Sequence, residues 1–283
     1  MKFLIVGDLH GSIPKIHFKD FDAIIAPGDF CSDETKPLIF KALRARLEDP
    51  DFDLEWYDLI DKRKAKQMIL KSVKNGRRVL EKLNSFNVPV FIVPGNWEWI
   101  ECTNCEWKFL NKDHYTPMLK GLDNIINCHH TLIKFEEYNI IGYGISSGPE
   151  FPQNKKELKR YSKQKLKKTK KEFNNIIKYM SHLFKKAKHP TIFLSHNVPY
   201  NTPIDKITDK SSPRHGMHYG SVVTRKLIEK FQPVICIGGH MHEHFGKTKI
   251  KKTVCINTGF GPKVNTFLEL DNNKIKKLKF YNK

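Results

Sequence analysis

Short apolar runs, each followed by a residue that can bind a metal ion, recur along this chain. Five runs are long enough for a buried strand and too short for most helices: residues 2–6, 23–27, 88–94, 191–194 and 234–237. The carboxyl ends of neighbouring parallel strands meet along one edge of an α/β sheet. The pattern therefore predicts a single site built from several strand ends.

The first run leads into Asp8 and His10, which lie two residues apart. On extended backbone such side chains point the same way, so a carboxylate and an imidazole could bind one ion. Alternatively, Asp8 caps a turn and His10 is an ordinary loop histidine. The later runs favour a metal site, because each adds a further ligand. These ligands are Asp29, Asn96, His196, His240 and His242.

Five sequence blocks carry a resemblance to a known family. They are G-D-L-H-G at 7–11, G-D-F at 28–30, G-N-W-E at 95–98, S-H-N at 195–197 and G-G-H-M-H at 238–242. In this order they resemble the five signatures of the calcineurin-like metallophosphoesterases. H-Y-G-S at 218–221, Q-P-V-I-C-I-G-G-H-M-H-E at 232–243 and I-N-T-G at 256–259 further resemble the branch related to bacterial cyclic-nucleotide phosphodiesterase. The resemblance implies an α/β fold, a four-layer αββα sandwich with two mixed β-sheets.

The resemblance also implies the residues of the site. One metal ion would be bound by Asp8, His10 and His242 and a second by Asn96, His196 and His240, with Asp29 bridging both. The catalytic residues would be His240, His218 and Asn96. Substrate contacts are expected from Trp97, Asn197, Arg214 and His218, and Asn257 is expected near the site.

The chemistry follows from this ligand set. Imidazole and carboxylate ligands without thiolate suit manganese, which we expect first, or else iron, zinc or nickel. Two divalent ions and two carboxylates leave about two units of positive charge for an anionic phosphate. Coordination lowers the pKa of bound water from about 16 towards about 7, so a hydroxide bridging the ions could attack phosphorus in line. We therefore expect a binuclear-metal-dependent phosphoester hydrolase.

One position departs from the wider family. Most relatives carry a histidine in the third block that is thought to protonate the leaving oxygen, and this chain carries Trp97 there. Indole is no acid at neutral pH, so poor leaving groups should react slowly unless His218 or a metal-bound water substitutes. We therefore expect a phosphodiesterase for small, nucleotide-like substrates. Trp97 could offer a flat surface to a base, or it could only pack the wall of the site.

The spacing of apolar residues predicts the remaining elements. The ligands span residues 8–242, which favours one domain over 1–283 with helical insertions at about 33–86 and 150–188. A crossover helix is predicted over 61–86, where Gly76 could interrupt it, and an amphipathic helix over 155–188. A hairpin over 132–145 should begin a second sheet. His129 and His130, just before it, are expected to be ordinary surface or turn residues.

Positive charge is concentrated in the second insertion. The chain has a net charge of +20, and residues 155–188 hold 14 Lys or Arg against 2 Glu. Such a helix could bind nucleic acid or anionic lipid, but aromatic residues are few and a solvated face is the simpler interpretation. A nuclease with the same metals is the main alternative function. A non-catalytic scaffold is the other, and the seven filled ligand positions argue against it.

Two features of the sequence indicate the cellular compartment of the protein: it has no recognisable export signal, and its cysteines are not spaced as a disulfide framework. No apolar stretch is long enough to cross a membrane, and no basic region with a cleavage site precedes the first strand, so we expect a cytoplasmic protein. The six cysteines show no framework of paired spacings, which fits a reducing compartment. Cys102 and Cys105 could be half a zinc site or a redox pair, but two free loop thiols are the preferred interpretation. The sequence does not indicate an oligomeric state.

Overall fold

The structure, a computed structural model, describes residues 1–48, 54–102, 105–159, 161–210, 212 and 214–282. Within them the strands are β1 (Lys2–Ile5), β2 (Ala23–Ala26), β3 (Val90–Ile92), β4 (Ile125–Asn127), β5 (Leu132–Phe135), β6 (Tyr138–Tyr143), β7 (Thr191–Asn197), β8 (Ile235–Gly239), β9 (Gly246–Ile250), β10 (Thr253–Asn257), β11 (Val264–Asp271) and β12 (Lys274–Asn282). The helices are α1 (Lys36–Glu48), α2 (Lys62–Asn84), α3 (Thr116–Leu119), α4 (Lys155–Lys159), α5 (Lys163–Lys186) and α6 (Val222–Phe231), and a 3-10 turn covers Trp56–Asp58.

These strands form two six-stranded sheets, both of mixed direction. In the first sheet β1, β2, β3 and β4 are parallel neighbours, and β11 and β12 extend it antiparallel beyond β1. In the second sheet β6, β7, β8 and β10 are parallel, and β5 and β9 pair antiparallel at the two edges. The hairpin predicted at the start of the second sheet is the β5–β6 pair, so that prediction is confirmed.

Alternate side chains along the strands pack into different layers, as the period of two requires. Phe3 of β1 lies in the core between the sheets, in one cluster with Ile237 of β8. Leu4, the next residue, packs instead in an outer cluster with Leu80 of α2. On the far side of the molecule Phe193 of β7 meets Phe184 of α5, with ring centroids 5.1 Å apart. The layers therefore run helix, sheet, sheet, helix, and the predicted four-layer sandwich is confirmed.

The helices differ from the prediction at two places. Helix α2 continues through Gly76, so the predicted interruption is wrong. A Cβ at Gly76 would lie 2.8 Å from Sγ of Cys31, which means that this glycine serves close packing and not a bend. The basic segment forms two helices instead of one, and Ser162 begins α5 by accepting a hydrogen bond from the N–H of Lys165 at 3.2 Å.

None of the helices in the described part of the chain combines the length and the apolar character needed to cross a bilayer.

Candidate metal centre

Residues that follow the strands of both sheets meet at one place. Asp8 follows β1, Asp29 follows β2, and Asn96 lies beyond β3 in the first sheet, whereas His196 is part of β7 and His240 follows β8 in the second. The site is therefore assembled at the junction of the two sheets, where strands of both end in the same direction.

Four residues of this site have left-handed backbone, which side chains with a Cβ rarely adopt. They are Asp8, His10, Asp29 and His240, with φ angles of 51°, 46°, 56° and 68°. Such conformations cost free energy and persist where the surrounding structure enforces them, which is typical of functional sites. The turns after β1, β2 and β8 thus aim side chains inward at some cost to stability.

One half of the site contains Asp8, His10, Asp29 and His242, whose donor atoms lie within 4.8 Å of one another. Nε2 of His10 lies 3.0 Å from Nε2 of His242. Oδ1 of Asp8 lies 3.6 Å from Nε2 of His242, and Oδ2 of Asp29 lies 3.7 Å from Nε2 of His10. Two donors each about 2.1 Å from one ion are at most about 4.2 Å apart, so these atoms could share an ion.

The other half contains Asp29, His196 and His240. Oδ1 of Asn96 lies 2.8 Å from Nε2 of His196 and 2.7 Å from Nδ1 of His240, which adds an amide oxygen to the group. Nδ1 of His196 lies 2.8 Å from the carbonyl oxygen of Pro27, to which it can donate its proton. That hydrogen bond fixes the tautomer and leaves Nε2 free to bind a metal, as is usual for histidine ligands.

Asp29 belongs to both halves. Its Oδ2 lies 3.7 Å from Nε2 of His10 and 3.6 Å from Nε2 of His196, while its Oδ1 accepts a hydrogen bond from the N–H of Trp97 at 2.9 Å. Oδ2 is buried and accepts no hydrogen bond from the described residues, and Nδ1 of His10 likewise has no hydrogen-bond partner among them. A buried carboxylate oxygen without a donor is costly, and a bound cation would satisfy it. The residues present therefore fit a pair of divalent ions that share Asp29.

The electrostatics of the site lead to the same conclusion. Burial, followed by the negative charges of Glu98 and Asp8, raises the pKa of Asp29 well above its ordinary value. Burial also lowers the pKa of His10 to about 4 and that of His240 to about 3. These imidazoles are neutral at pH 7 and can bind a metal without releasing a proton. The three buried carboxylates of Asp8, Asp29 and Glu98, beside neutral imidazoles, favour the binding of cations.

Glu98 holds the turn that carries Asp29. Its buried carboxylate accepts hydrogen bonds from the backbone N–H groups of Asp29 at 2.9 Å, Phe30 at 2.7 Å and Cys31 at 3.1 Å, and also from Gly95. Glu98 belongs to the G-N-W-E block, but its role was not predicted from the sequence. An acidic residue between two tryptophans in an otherwise apolar segment was the signal that could have identified it.

Two glycines let the turns approach one another. A Cβ at Gly95 would collide with Oδ1 of Asp29, and a Cβ at Gly239 would collide with Oδ2 of Asp8. Asp8 in turn accepts from the N–H of His240 with both oxygens, at 3.0 and 2.9 Å. The glycines of the third and fifth sequence blocks are thus required by close contact with the carboxylates.

The residues predicted to contact substrate have different surroundings. Trp97 is half-buried, and its ring centre lies 6.1 Å from that of His10 in an edge-on arrangement. Asn197 is buried and its Nδ2 donates to the carbonyl oxygen of Tyr219 at 3.0 Å, so it supports the loop that follows β7. The guanidinium of Arg214 lies 4.4 Å from the centre of the Tyr219 ring.

His218 is paired with a buried carboxylate that the sequence analysis did not identify. Nδ1 of His218 lies 2.7 Å from Oδ1 of Asp205, and the His218 side chain is 31% exposed whereas that of Asp205 is fully buried. Asp205 also accepts from the N–H groups of Asn201, Thr202 and Gly220. The loop therefore presents an oriented histidine at its surface.

Two further predictions concern Asn257 and the pair Cys102 and Cys105. Asn257 is buried and its Nδ2 donates to the carbonyl oxygen of Met241 at 3.0 Å, which supports the turn that carries His240. Cys102 and Cys105 form a disulfide, so the preferred interpretation of two free loop thiols is wrong.

Comparison with known proteins places this site in context. The sequence model of the calcineurin-like phosphoesterases matches residues 1–244. A comparison with curated protein sequences found no match. One crystal structure is matched over 99% of both chains at 16% identity, with a TM-score of 0.64.

Two further solved structures have a TM-score of 0.50. The protein TT1561 of Thermus thermophilus is 12% identical, and the match covers 99% of this chain and 98% of that one. A "Putative 5'-Nucleotidase from Staphylococcus aureus", in complex with alpha-ketoglutarate, is 13% identical, and the match covers 99% of this chain and 54% of that one. At these identities the likeness concerns the fold alone.

Proposed function

Because the chain belongs to the calcineurin-like phosphoesterase family, we propose that this metal-dependent phosphoester hydrolase is a phosphodiesterase for small, nucleotide-like esters. The proposal assigns it to the branch related to bacterial cyclic-nucleotide phosphodiesterase, which its H-Y-G-S and I-N-T-G blocks resemble. It also includes a single domain over 1–283 and a cytoplasmic location. The four free, buried cysteines favour that location, because the cytoplasm keeps thiols reduced. The Cys102–Cys105 disulfide argues against it, because disulfides are rare there.

The position of Asp29 carries the proposal. Its Oδ2, which accepts no hydrogen bond within the described part of the chain, lies between Nε2 of His10 and Nε2 of His196, at 3.7 and 3.6 Å. A shared carboxylate between two groups of ligands is the arrangement that a two-metal phosphoesterase needs. In this proposal the ligands are those implied by the sequence: Asp8, His10 and His242 for one ion, Asn96, His196 and His240 for the other, and Asp29 for both.

Bound divalent ions would supply positive charge for the phosphate and lower the pKa of a water molecule. We propose manganese, with iron, zinc or nickel as alternatives, because the donors are nitrogen and oxygen without thiolate. The protein's part is to hold these donors rigidly: Pro27 orients His196, and the N–H of His240 binds both oxygens of Asp8. We propose that Asn96 and His240, which lie in the second half of the site, are also catalytic residues.

The surroundings of Trp97 support a preference for diesters with good leaving groups. The indole replaces a side chain that could donate a proton, and its half-buried ring packs beside the ligand His10. That contact favours the view that Trp97 packs the wall of the site. Leaving groups that need protonation, such as sugar alkoxides, must then receive the proton from elsewhere.

We propose His218 as the source of that proton. Asp205 fixes the ring through Nδ1, and the partly exposed side chain leaves Nε2 available for exchange with a leaving group or water. The hydrogen bond to a buried carboxylate also restricts the ring to one orientation. Asp205 is thereby a positioning residue for His218.

The decisive experiment compares a diester with a monoester that release the same leaving group. Bis(4-nitrophenyl) phosphate should be hydrolysed with a higher kcat/KM than 4-nitrophenyl phosphate when Mn²⁺ is added. His196→Ala should lower diester hydrolysis by about 100-fold or more, because it removes a ligand of one ion. His182→Ala, at an exposed histidine of α5, is the matched control and should retain full activity.

Two results would contradict the proposal. Rapid turnover of the monoester with an inert diester would refute the assignment as a phosphodiesterase. Full activity in His196→Ala would refute the two-metal site. Metal analysis of the purified protein by mass spectrometry identifies the ion and should give two ions per chain in the wild type.

A nuclease with the same site is the second candidate, since one observation favours it. Nine lysines of α5 are exposed and form a basic surface: Lys163, Lys165, Lys167, Lys168, Lys170, Lys171, Lys178, Lys185 and Lys186. Such a surface attracts polyanions, and binding to nucleic acid would weaken steeply with salt. A steep salt dependence on long DNA or RNA, absent with dinucleotides, would favour this function. A non-catalytic scaffold is the third, and the meeting of all seven side chains argues against it.

A further inference from the structure

A cavity of about 380 Å³ lies at the carboxyl end of β6. Its walls include His129 and His130 before the hairpin, Tyr143 of β6, Ser147 in the following loop, Ile176 of α5, and Tyr219. The volume lies within the range of about 300–1,000 Å³ in which proteins bind small molecules. From the sequence, both histidines were expected to be ordinary surface or turn residues. The structure instead half-buries them in this wall.

The cavity adjoins the metal centre through two contacts. The ring of Tyr219 lies nearly parallel to that of His240, with centroids 6.5 Å apart and an interplanar angle of 26°. The N–H of Ile145 donates to the carbonyl oxygen of Pro94 at 2.8 Å, one residue before the G-N-W-E block. A molecule in the cavity would therefore contact the same ring that packs on a ligand of the second ion.

The backbone that closes the cavity is held in a costly conformation. Ile145 has φ of 72°, which is a clear outlier for a β-branched residue. Its hydrogen bond to Pro94 maintains this conformation, and the loop of 146–150 that follows lines the cavity. Strain of this kind accumulates where a loop must be held for a ligand.

Aromatic rings form one wall of the cavity. His129 stacks on His130 with centroids 3.8 Å apart, and His130 lies at 18° to Tyr143 with centroids 5.9 Å apart. Nε2 of His130 is buried, and no described residue forms a hydrogen bond with it. Nδ1 of His129 accepts from the N–H of Gly144 at 3.0 Å, so the ring carries its proton on Nε2. The wall thus combines flat apolar faces with a few polar atoms.

The residues that line the cavity do not favour a phosphate in it, although the guanidinium of Arg214 lies on the ring of Tyr219. None of the described residues that line the cavity is a lysine or an arginine. The carboxylate of Glu150 is already bound by Ser146 Oγ at 2.9 Å and by the N–H of Val222 at 2.8 Å. Burial lowers the pKa of His129 to about 3 and also lowers that of His130, so both are neutral at pH 7. An uncharged planar group suits these surroundings, and the anion belongs at the metal centre.

We propose that this cavity binds an uncharged planar aromatic ring of the substrate, of the size of a nucleobase, while the phosphodiester lies at the metal centre. The proposal deepens the proposed function and rests on it for the position of the phosphate. Recognition of the ring depends on Tyr219 and the stacked His129 and His130, and stacking of a base on such rings is worth about tenfold in affinity.

Two substrates with the same scissile bond test the proposal. Thymidine 5′-(4-nitrophenyl phosphate) and methyl 4-nitrophenyl phosphate are both diesters that release 4-nitrophenolate. The wild type should hydrolyse the thymidine ester with a kcat/KM about tenfold or more above that of the methyl ester. In Ser147→Trp, which places an indole at the mouth of the cavity, this ratio should fall towards one. Asn174→Trp, at an exposed position of α5 that does not line the cavity, should keep the wild-type ratio.

Binding of thymidine alone separates this inference from the proposed function. Calorimetry with the full-length protein should detect thymidine, which carries no phosphate, and Ser147→Trp should weaken that binding about tenfold. If neither diester is hydrolysed but thymidine binds and Ser147→Trp weakens it, the proposed function fails and the cavity site stands. Equal kcat/KM values for both esters in the wild type, or thymidine binding unchanged in Ser147→Trp, would overturn the inference.

Discussion

Replacing Glu98 by glutamine should disturb both the stability of the protein and its affinity for metal. The carboxylate of Glu98 is buried and accepts four backbone N–H groups, two at each oxygen. Glutamine has nearly the same shape but only one accepting oxygen. Its amide NH₂ group would face two N–H donors that it cannot bind.

The magnitude follows from the bonds that are lost. Two hydrogen bonds to a charged acceptor contribute about 1.5–3 kcal/mol each, so their loss costs about 3–6 kcal/mol. Burial raises the pKa of Glu98, which means that the ionised carboxylate is itself penalised, and removing its charge offsets part of the loss. We expect a net decrease of about 3 kcal/mol in the free energy of unfolding. For a chain of this length that corresponds to about 5 °C in Tm.

The same change should weaken metal binding, because Glu98 holds the backbone of Asp29 and Gly95. Groups that orient a metal ligand typically contribute about 10–100-fold in affinity. Thermal unfolding measured by circular dichroism and Mn²⁺ titration by calorimetry test the two effects separately. Glu101→Gln makes the same chemical change three residues later at an exposed position and should alter neither quantity. A Glu98→Gln protein with wild-type Tm and wild-type Mn²⁺ affinity would refute the reasoning.

Three further predictions concern other parts of the molecule. His218→Ala should slow hydrolysis of alkyl diesters more than that of 4-nitrophenyl diesters, as steady-state kinetics on both would reveal. Ile237→Ala, between the sheets, and Ile69→Ala, beneath the helices, should each lower the free energy of chemical unfolding by about 2–5 kcal/mol. Only Ile237→Ala should also weaken Mn²⁺ binding. Burial lowers the pKa of His129 from 6.5 to about 3, so the unfolded chain binds the extra proton between these pH values and stability falls with acid. The free energy of unfolding, measured by thermal unfolding, should therefore fall by about 2 kcal/mol less in His129→Asn than in the wild type when the pH is lowered from 7 to 5.

The strands and the residues that follow them could be predicted from the sequence, because local signals specify both. An apolar run that ends in glycine and a polar residue marks a buried strand and the turn after it, as at Asp8 and Asp29. The arrangement of the strands in two sheets could be predicted only from the family resemblance, because no local pattern indicates which strands are neighbours. The hairpin of β5 and β6 is the exception, as its two strands are adjacent in the sequence.

Residues that act through distant backbone could not be predicted in this way. Glu98 binds N–H groups 67 to 69 residues earlier in the chain, and Asp205 owes its role to the loop that folds around it. The two tryptophans that flank Glu98 mark it as unusual for a surface residue, but no local pattern indicates which backbone groups such a carboxylate binds. The break before α5 was missed for a different reason. Ser162 is a normal N-cap signal, but the apolar spacing across it suggested one continuous helix.

The wide spread of the site along the chain has a physical reason. Asp8, Asp29 and Asn96 come from the first sheet, whereas His196 and His240 come from the second, so neither sheet alone can complete either half of the site. The distances between the ligands within each half are therefore set by the packing between the sheets. Gly95 and Gly239 let the turns approach without Cβ atoms, and the inter-sheet core holds that approach fixed. Metal affinity should consequently depend on the core between the sheets and not on the equally buried cores beneath the outer helices.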